Sequence, residues 1–106
     1  MREPTYFMLL SLLGGRLHGY GIAKKAEELS DGRVQLAAGT LYGALDRLND
    51  QGLIVVDGEE QVEGRKRRYY SISETGRSKV VGEVARLEAS IAAAKKVDVA
   101  LGTVTP

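Results

Sequence analysis

Apolar residues recur at helical spacing near the start of the chain. They occupy positions i, i+3, i+4 and i+7, at Tyr6, Leu9, Leu10 and Leu13, which is the pattern of one helix face. Thr5 precedes them as the expected N-cap, and Gly14-Gly15 follows as the expected stop. Met8 and Leu12 add a second apolar stripe, so we expect this helix to be covered on more than one side, in part by another subunit.

Two further helices follow, each with an apolar face and a turn at its end. The second is predicted from His18 or Gly19 to Ser30, with an inward face at Ile22, Ala26 and Leu29. The third is predicted from Ala38 to Gln51, with an inward face at Leu41, Ala44, Leu45 and Leu48. Asp31-Gly32 marks the turn between them, and Gly52 stands where a helix C-terminus favours glycine.

Strand patterns replace helical ones after Gly52. Two β-rich runs, LIVVD and RRYYSI, are separated by the polar stretch Gly58 to Lys66. This arrangement predicts a β-hairpin. Alternation along the second strand then places Arg68, Tyr70 and Ile72 on one face of the hairpin.

A fourth helix is predicted from Ser73 onward. Its apolar residues recur at helical spacing, at Val80, Val84, Leu87 and Ile91. One small domain does not need to bury this whole stripe against itself, so the stripe is a candidate contact between subunits. Residues 98–106 contain one charged residue and end in Gly, Thr and Pro, and we expect them to form a flexible tail.

Composition narrows the class of protein. A chain of 106 residues with 43% hydrophobic content is enough for one globular domain. It has no cysteine, which excludes disulfides and thiolate metal sites and suits a reducing cytoplasm. The early apolar run from Tyr6 to Leu13 is too short to span a bilayer and has no signal-peptide cleavage pattern after it. We therefore expect a soluble cytoplasmic protein with no membrane partner.

The net charge of +1 conceals an uneven distribution of charged residues. Acidic residues between Asp50 and Glu63 are followed by a basic run, Arg65, Lys66, Arg67 and Arg68. A compact basic cluster of this kind is typical of a surface that contacts phosphate. The alternative is a solvated turn that keeps the hairpin soluble, and the run by itself favours neither interpretation.

Three helices followed by a hairpin is the element order of a winged helix-turn-helix, so the predicted fold class is mainly α with a β-hairpin. The basic run is then expected at the tip of the wing. The segments HGYGI, GTLYGALDRLNDQGLI and RKRRYYSISETGR, within Thr5 to Leu87, resemble the PadR-type transcriptional regulators. The chain departs from that pattern at Gly43, where the family commonly has proline, and this departure loosens the geometry expected at the start of helix three.

The resemblance implies a homodimer joined through the C-terminal helix, which packs against the first helix of the partner. Residues 1–73 are then the winged helix-turn-helix domain, and residues 74–97 are the dimerisation helix of a short family form. The expected dimerisation residues are Tyr6, Leu9, Leu13, Val80, Val84, Leu87 and Ile91. The resemblance further implies a repressor that occupies an inverted-repeat operator. The resemblance also implies a small-molecule effector as a candidate partner, but it does not identify that effector.

The outer face of the third helix supplies candidate DNA contacts. With the apolar face turned inward, this helix presents Gly39, Thr40, Tyr42, Gly43 and Arg47. Small residues let the backbone approach the floor of a DNA groove, Thr40 can meet a base edge, and Tyr42 can donate to phosphate. Alternatively, Gly39 and Thr40 only cap the helix, Tyr42 packs on the hairpin, and Arg47 pairs with Asp46 or Asp50. Tyr20, at the start of the second helix, is either a phosphate contact or a core residue.

An enzymatic function is not expected. His18 is the only histidine, and a helix N-cap or a surface role explains it better than catalysis or metal ligation. The segment GGRLHGYG lacks the preceding strand and the Gly-Lys-Ser/Thr ending of a phosphate-binding loop. No cofactor or metal is predicted. The competing function is a winged helix that binds protein instead of DNA, which the acidic residues near the wing favour slightly.

Overall fold

The computed structural model describes residues 1–97, which form four α-helices and a three-stranded antiparallel sheet with strand order β1-β3-β2. The elements in chain order are α1 (Glu3–Ser11), β1 (Leu17–His18), α2 (Gly19–Leu29), α3 (Ala38–Asp50), β2 (Ile54–Val62), β3 (Arg65–Ile72) and α4 (Glu74–Val97). This is a winged helix with a long C-terminal helix, so the predicted fold class is confirmed. The expected flexible tail, residues 98–106, lies outside the described residues.

The first helix begins earlier than the sequence pattern indicated. α1 starts at Glu3, its N-cap is Arg2, and Pro4 lies in its first turn. Proline favours the first turn of a helix because its fixed φ already matches the helical value and its missing N–H needs no partner there. The prediction that Thr5 is the N-cap was therefore wrong.

The helix-turn-helix pair agrees closely with the prediction. α2 and α3 each end one residue before the predicted boundary. Gly52 follows α3 with a φ of +73°, the left-handed conformation that glycine adopts more easily than other residues. Leu29 was predicted on the inward face of α2, but it is 46% exposed, so this part of the prediction was wrong. The other inward residues contribute to the core, which includes Ile22, Leu41, Leu45, Leu48, Ile54 and Tyr70.

The wing, defined as strands β2 and β3 with their turn, is longer than predicted. The polar stretch Gly58 to Lys66 was expected to be a loop, but most of it is paired strand, with Glu59 opposite Arg68 and Glu60 opposite Arg67. The turn contains only Glu63 and Gly64, with φ values of +52° and +77°. Two consecutive positive φ values are typical of the tight hairpin turn whose twist matches that of the strands.

A third strand was not predicted. β1 contains only Leu17 and His18, which pair with Tyr70 and Tyr69 of β3. Two residues are too few to show an alternating pattern in the sequence. Their pairing attaches the wing to the start of α2, so it determines where the wing lies relative to the helix-turn-helix.

Helix α4 is anchored to the body only through its first turns. The Ser73 hydroxyl donates to the carbonyl oxygen of Gly52 at 2.6 Å and accepts from the Gly76 N–H at 3.0 Å, so Ser73 begins the helix as predicted. Val80 and Glu83 are buried, whereas every residue from Ala85 to Val97 is exposed. Arg86 donates two hydrogen bonds to Glu83 and lowers the pKa of that carboxyl group.

Within residues 1–97, none of the helices combines the length and apolar character needed to cross a bilayer.

Candidate nucleic-acid interface

A groove of about 780 Å³ lies between the start of α2, the outer face of α3 and the wing, and we call it the wing groove. It brings together side chains that are distant in sequence. Of the predicted DNA-contact residues, Tyr20, Tyr42 and the basic run Arg65 to Arg68 line it. Gly39, Thr40, Gly43 and Arg47 lie outside the lining, on the neighbouring surface of α3.

The start of α3 is exposed as predicted. Gly39 and Thr40 are both exposed, and the N-cap of the helix is Ala37, for which no side-chain capping bond is found within residues 1–97. Thr40 therefore does not cap the helix, and the capping alternative is excluded for it. Within residues 1–97, no side chain accepts a hydrogen bond from the first-turn N–H groups of α3. These groups can therefore donate to an anion such as a phosphate.

Tyr20 and Tyr42, two of the tyrosines that line the wing groove, face solvent. Tyr42 is 53% exposed, and it packs on the start of α2, where an added Cβ at Gly19 would lie 3.1 Å from the Tyr42 ring. Tyr20 is 69% exposed, which excludes the alternative that it is a core residue. Its ring is nearly parallel to that of His18, with 6.4 Å between the ring centroids. Both hydroxyl groups are thus available to an external acceptor.

Arg47 is exposed, and no ion pair joins it to Asp46 or Asp50 in the described part of the chain. The alternative that acidic neighbours neutralise it therefore has no support. An added Cβ at Gly43 would lie 3.8 Å from the Arg47 Nη1 atom and would meet no other neighbour. Packing does not require glycine at this position.

The basic run of the wing is more neutralised than the sequence indicated. Lys66 and Arg68 both approach Glu59, at 3.9 Å and 3.5 Å, and Arg67 approaches Glu60 at 4.0 Å. Within residues 1–97, Arg65 is the one cation of the run without such a pair. The expectation that all four cations lie at the tip needs correction, because only Arg65 and Lys66 adjoin the turn, and the other two lie further along β3.

A cluster that was not predicted as part of the site surrounds Tyr69 of β3. Arg16 lies over the Tyr69 ring at 4.6 Å and donates to the Asp57 carbonyl oxygen at 2.8 Å. The Tyr69 hydroxyl donates to Glu60 at 2.6 Å. These contacts join the segment before β1 to both strands of the wing. No local pattern signals them, because the residues come from three separate parts of the sequence.

His18 joins this cluster to α2. Its Nδ1 atom accepts a hydrogen bond from the Gly21 N–H at 3.1 Å, so the residue caps α2, one of the roles that the sequence favoured. The edge of its ring meets Tyr69, with centroids 5.8 Å apart. Burial, followed by the nearby positive charge of Arg67, lowers the pKa of His18. The neutral imidazole is therefore favoured, which is the form that can accept at Nδ1.

The predicted dimerisation residues divide into two groups. Leu9 and Val80 are buried in the protomer's own core, so they have almost no surface left for a partner. Tyr6 and Val84 are partly buried against the same core. Leu13, Leu87 and Ile91 are exposed, and so is Val81, which was not among the predicted residues.

Comparison with known proteins agrees with this architecture. The model of the transcriptional regulator PadR-like family matches residues 8–81. A PadR family transcription regulator from Clostridium difficile R20291 is 30% identical, with 91% of this chain and 94% of that chain covered and a TM-score of 0.64. A transcriptional regulator from Clostridium thermocellum is 26% identical, with 88% and 90% covered and a TM-score of 0.71.

The fold is also similar to that of Bacillus subtilis PadR in complex with operator DNA. That protein is 23% identical, with a TM-score of 0.69 over 78% of this chain and 47% of that chain. No curated protein sequence matches the chain at a significant level. The family match, which covers most of the chain, places the protein among transcriptional regulators and not among enzymes. The chain thus belongs to the PadR-like family of transcriptional regulators.

Proposed function

We propose that the protein binds duplex DNA through α3 and the wing and regulates transcription by occupying an operator. The observation that carries this proposal is the wing groove, which places Tyr20, Tyr42 and the basic run beside the exposed start of α3. In a winged helix of this kind, the second helix of the helix-turn-helix enters the major groove while flanking elements contact the backbone.

The contacts divide by chemistry. Gly39 and Thr40 are small and exposed at the start of α3, so they contact base edges in the major groove. The tyrosine hydroxyl groups and Arg65 contact phosphates, as do Arg47 and the remaining wing cations. These phosphate contacts fix the register of the protein on DNA without reading the sequence. Gly43 allows close approach of the helix backbone.

The proposed assembly is a homodimer. Helix α4 extends beyond the protomer body and exposes apolar side chains at Val81, Leu87 and Ile91, which a second copy of the helix would cover. Residues 1–73 then form the DNA-binding domain and residues 74–97 the dimerisation helix. If the two α3 helices enter successive major grooves, their separation is about 34 to 36 Å, and the operator is an inverted repeat.

The family suggests a cytoplasmic repressor that responds to a small-molecule effector. An effector bound where the two α4 helices meet would change the angle between them and shift both α3 helices out of register with DNA. Repression follows from occupancy, since a dimer bound across a promoter excludes other proteins from it.

The competing function, a winged helix that binds protein, has some support from the carboxylates of the wing. Titration of a labelled duplex at several salt concentrations separates the two functions. A DNA-binding protein loses affinity with a log–log slope of about 0.9 per phosphate neutralised. Selection of bound duplexes from a random pool then yields the operator and its half-site spacing. Absence of duplex binding at low salt would overturn the proposed function in favour of protein binding.

A further inference from the structure

The wing carries as many carboxylates as cations. Between Ile54 and Ile72 the acidic residues are Asp57, Glu59, Glu60 and Glu63, and the basic residues are Arg65, Lys66, Arg67 and Arg68. The antiparallel register sets Glu59 opposite Arg68 and Glu60 opposite Arg67. The positive surface that a phosphate-contacting wing needs is therefore opposed by negative charge from the neighbouring strand.

These cross-strand pairs are loose. Their N–O distances are 3.5 to 4.0 Å, and the Lys66 side chain is 73% exposed. Exposed pairs of this length contribute little to stability, because water screens them and the side chains lose entropy. The pairs can open when a phosphate approaches. The carboxylates nevertheless stay beside the cations, where they repel phosphate.

We propose that Glu59 and Glu60 compete with DNA phosphate for Lys66, Arg67 and Arg68, and that this competition sets a low affinity for non-specific DNA. The inference rests on the proposed function. Non-specific binding is almost entirely electrostatic, so a competitor for cations acts on it directly. Arg65, which has no such pair within residues 1–97, is the cation of the run that meets phosphate first.

The two carboxylates differ in their surroundings. Glu59 lines the wing groove and faces two cations. Glu60 faces one cation and also accepts the hydrogen bond from Tyr69. Glu59 therefore competes with phosphate more strongly, and its neutralisation has the larger effect on DNA affinity.

The test compares Glu59→Gln, Glu60→Gln and the double variant with the unaltered protein on a random-sequence duplex, by fluorescence anisotropy over a range of salt. Glutamine keeps the size and the acceptor oxygen but removes the charge. The double variant is expected to bind roughly tenfold more tightly at low salt, the size expected when three weak exposed pairs no longer compete. Its salt slope steepens by up to about 0.9 for each cation released.

Two control variants separate pairing from net charge. Glu28→Gln makes the same single charge change at the C-terminal end of α2, outside the lining of the wing groove. Glu63→Gln makes it at the wing turn, inside that lining but where no ion pair is found within residues 1–97, so it measures the effect of charge without pairing. Both are expected to tighten binding much less than Glu59→Gln. Equal gains in all variants, or unchanged or weaker binding of the double variant in its folded state by circular dichroism, would overturn the competition. Failure of the unaltered protein and of every variant to bind any duplex at low salt would instead overturn the proposed function.

Discussion

Gly76, in the first turn of α4, lies directly against the carbonyl group of Leu53, which separates α3 from β2. A Cβ at position 76 would collide with that carbonyl oxygen and lie 2.7 Å from the Ile72 Cγ1 atom. Together with the hydrogen bonds of Ser73, this contact fixes the start of α4 to the end of the helix-turn-helix. In the proposed dimer, this contact is where a change in the angle of α4 would reach the segment that follows α3.

Gly76→Ala is expected to destabilise the fold by about 2 kcal/mol, because overpacking against backbone cannot be relieved by a rotamer change. Gly82→Ala is the matched control, since an added Cβ there meets nothing within 4 Å. It is expected to stabilise the helix by about 0.5 to 1 kcal/mol. Urea unfolding followed by circular dichroism measures both. Similar stability of the two variants would show that α4 is not held closely at Gly76.

Gly43→Ala is expected to stabilise α3 by a similar 0.5 to 1 kcal/mol, because glycine in a helix interior costs conformational entropy and the site has room for a methyl group. Its DNA affinity is nevertheless expected to fall, since the methyl group holds the helix backbone away from DNA. Gly82→Ala shares the gain in stability and is the control for affinity. Unchanged DNA binding by Gly43→Ala would remove Gly43 from the interface.

Stability should fall when the pH is lowered from 7 to 5, in part through His18. The pKa of His18 is lowered in the folded protein, so the unfolded chain takes up its proton first, near its ordinary value of 6.5. The stabilisation is complete above that value and is lost as the pH falls through the lowered folded pKa.

The variant His18→Asn isolates this contribution, because asparagine can still cap α2 but does not titrate in this range. Denaturant unfolding at a series of pH values is expected to show a shallower loss of stability for the variant. Identical pH dependence in the two proteins would contradict the role of His18 as a neutral cap.

Substitutions at Arg65 and at Thr40 are expected to change DNA binding in different ways. Arg65→Ala should weaken operator and random duplexes by similar factors and reduce the salt slope by about one unit, because it removes a phosphate contact. Lys79→Ala, on the exposed side of α4, is the charge-matched control. Thr40→Val should narrow the affinity gap between operator and random DNA at a nearly unchanged slope. An Arg65→Ala variant that kept both affinity and slope would mean that the turn of the wing is only solvated.

Dimerisation is expected to depend on the exposed stripe of α4. Leu87→Glu and Ile91→Glu should each shift the protein toward monomer, because they place a charge in the proposed contact between helices. Ala89→Glu, on the opposite side of the helix, should leave the assembly unchanged. Light scattering over a range of protein concentrations measures the mass. Stable dimers of both stripe variants would move the interface elsewhere.

Much of this fold is determined by local sequence. The inward faces of α2 and α3 repeat every three or four residues, and Gly52 terminates α3 where its left-handed φ is needed. Periodicity and glycine conformation act within a few residues of the chain, so the sequence was sufficient to predict these elements and the exposed face of α3. It was misleading at the start of α1, where one local signal overrode another and Pro4, not Thr5, marks the first turn.

The tertiary structure decided what depends on residues that are distant in sequence. Strand β1 exists because β3 offers it a free edge, and Arg16 and His18 reach the wing only through that pairing. From the sequence alone, the basic run is expected to form a positive patch. The hairpin register, however, places Glu59 and Glu60 beside it. Leu9 and Val80 were likewise expected at the dimer interface, but both are buried in the protomer's own core. Side-chain pairing and burial are properties of packed surfaces, which no local pattern of residues specifies.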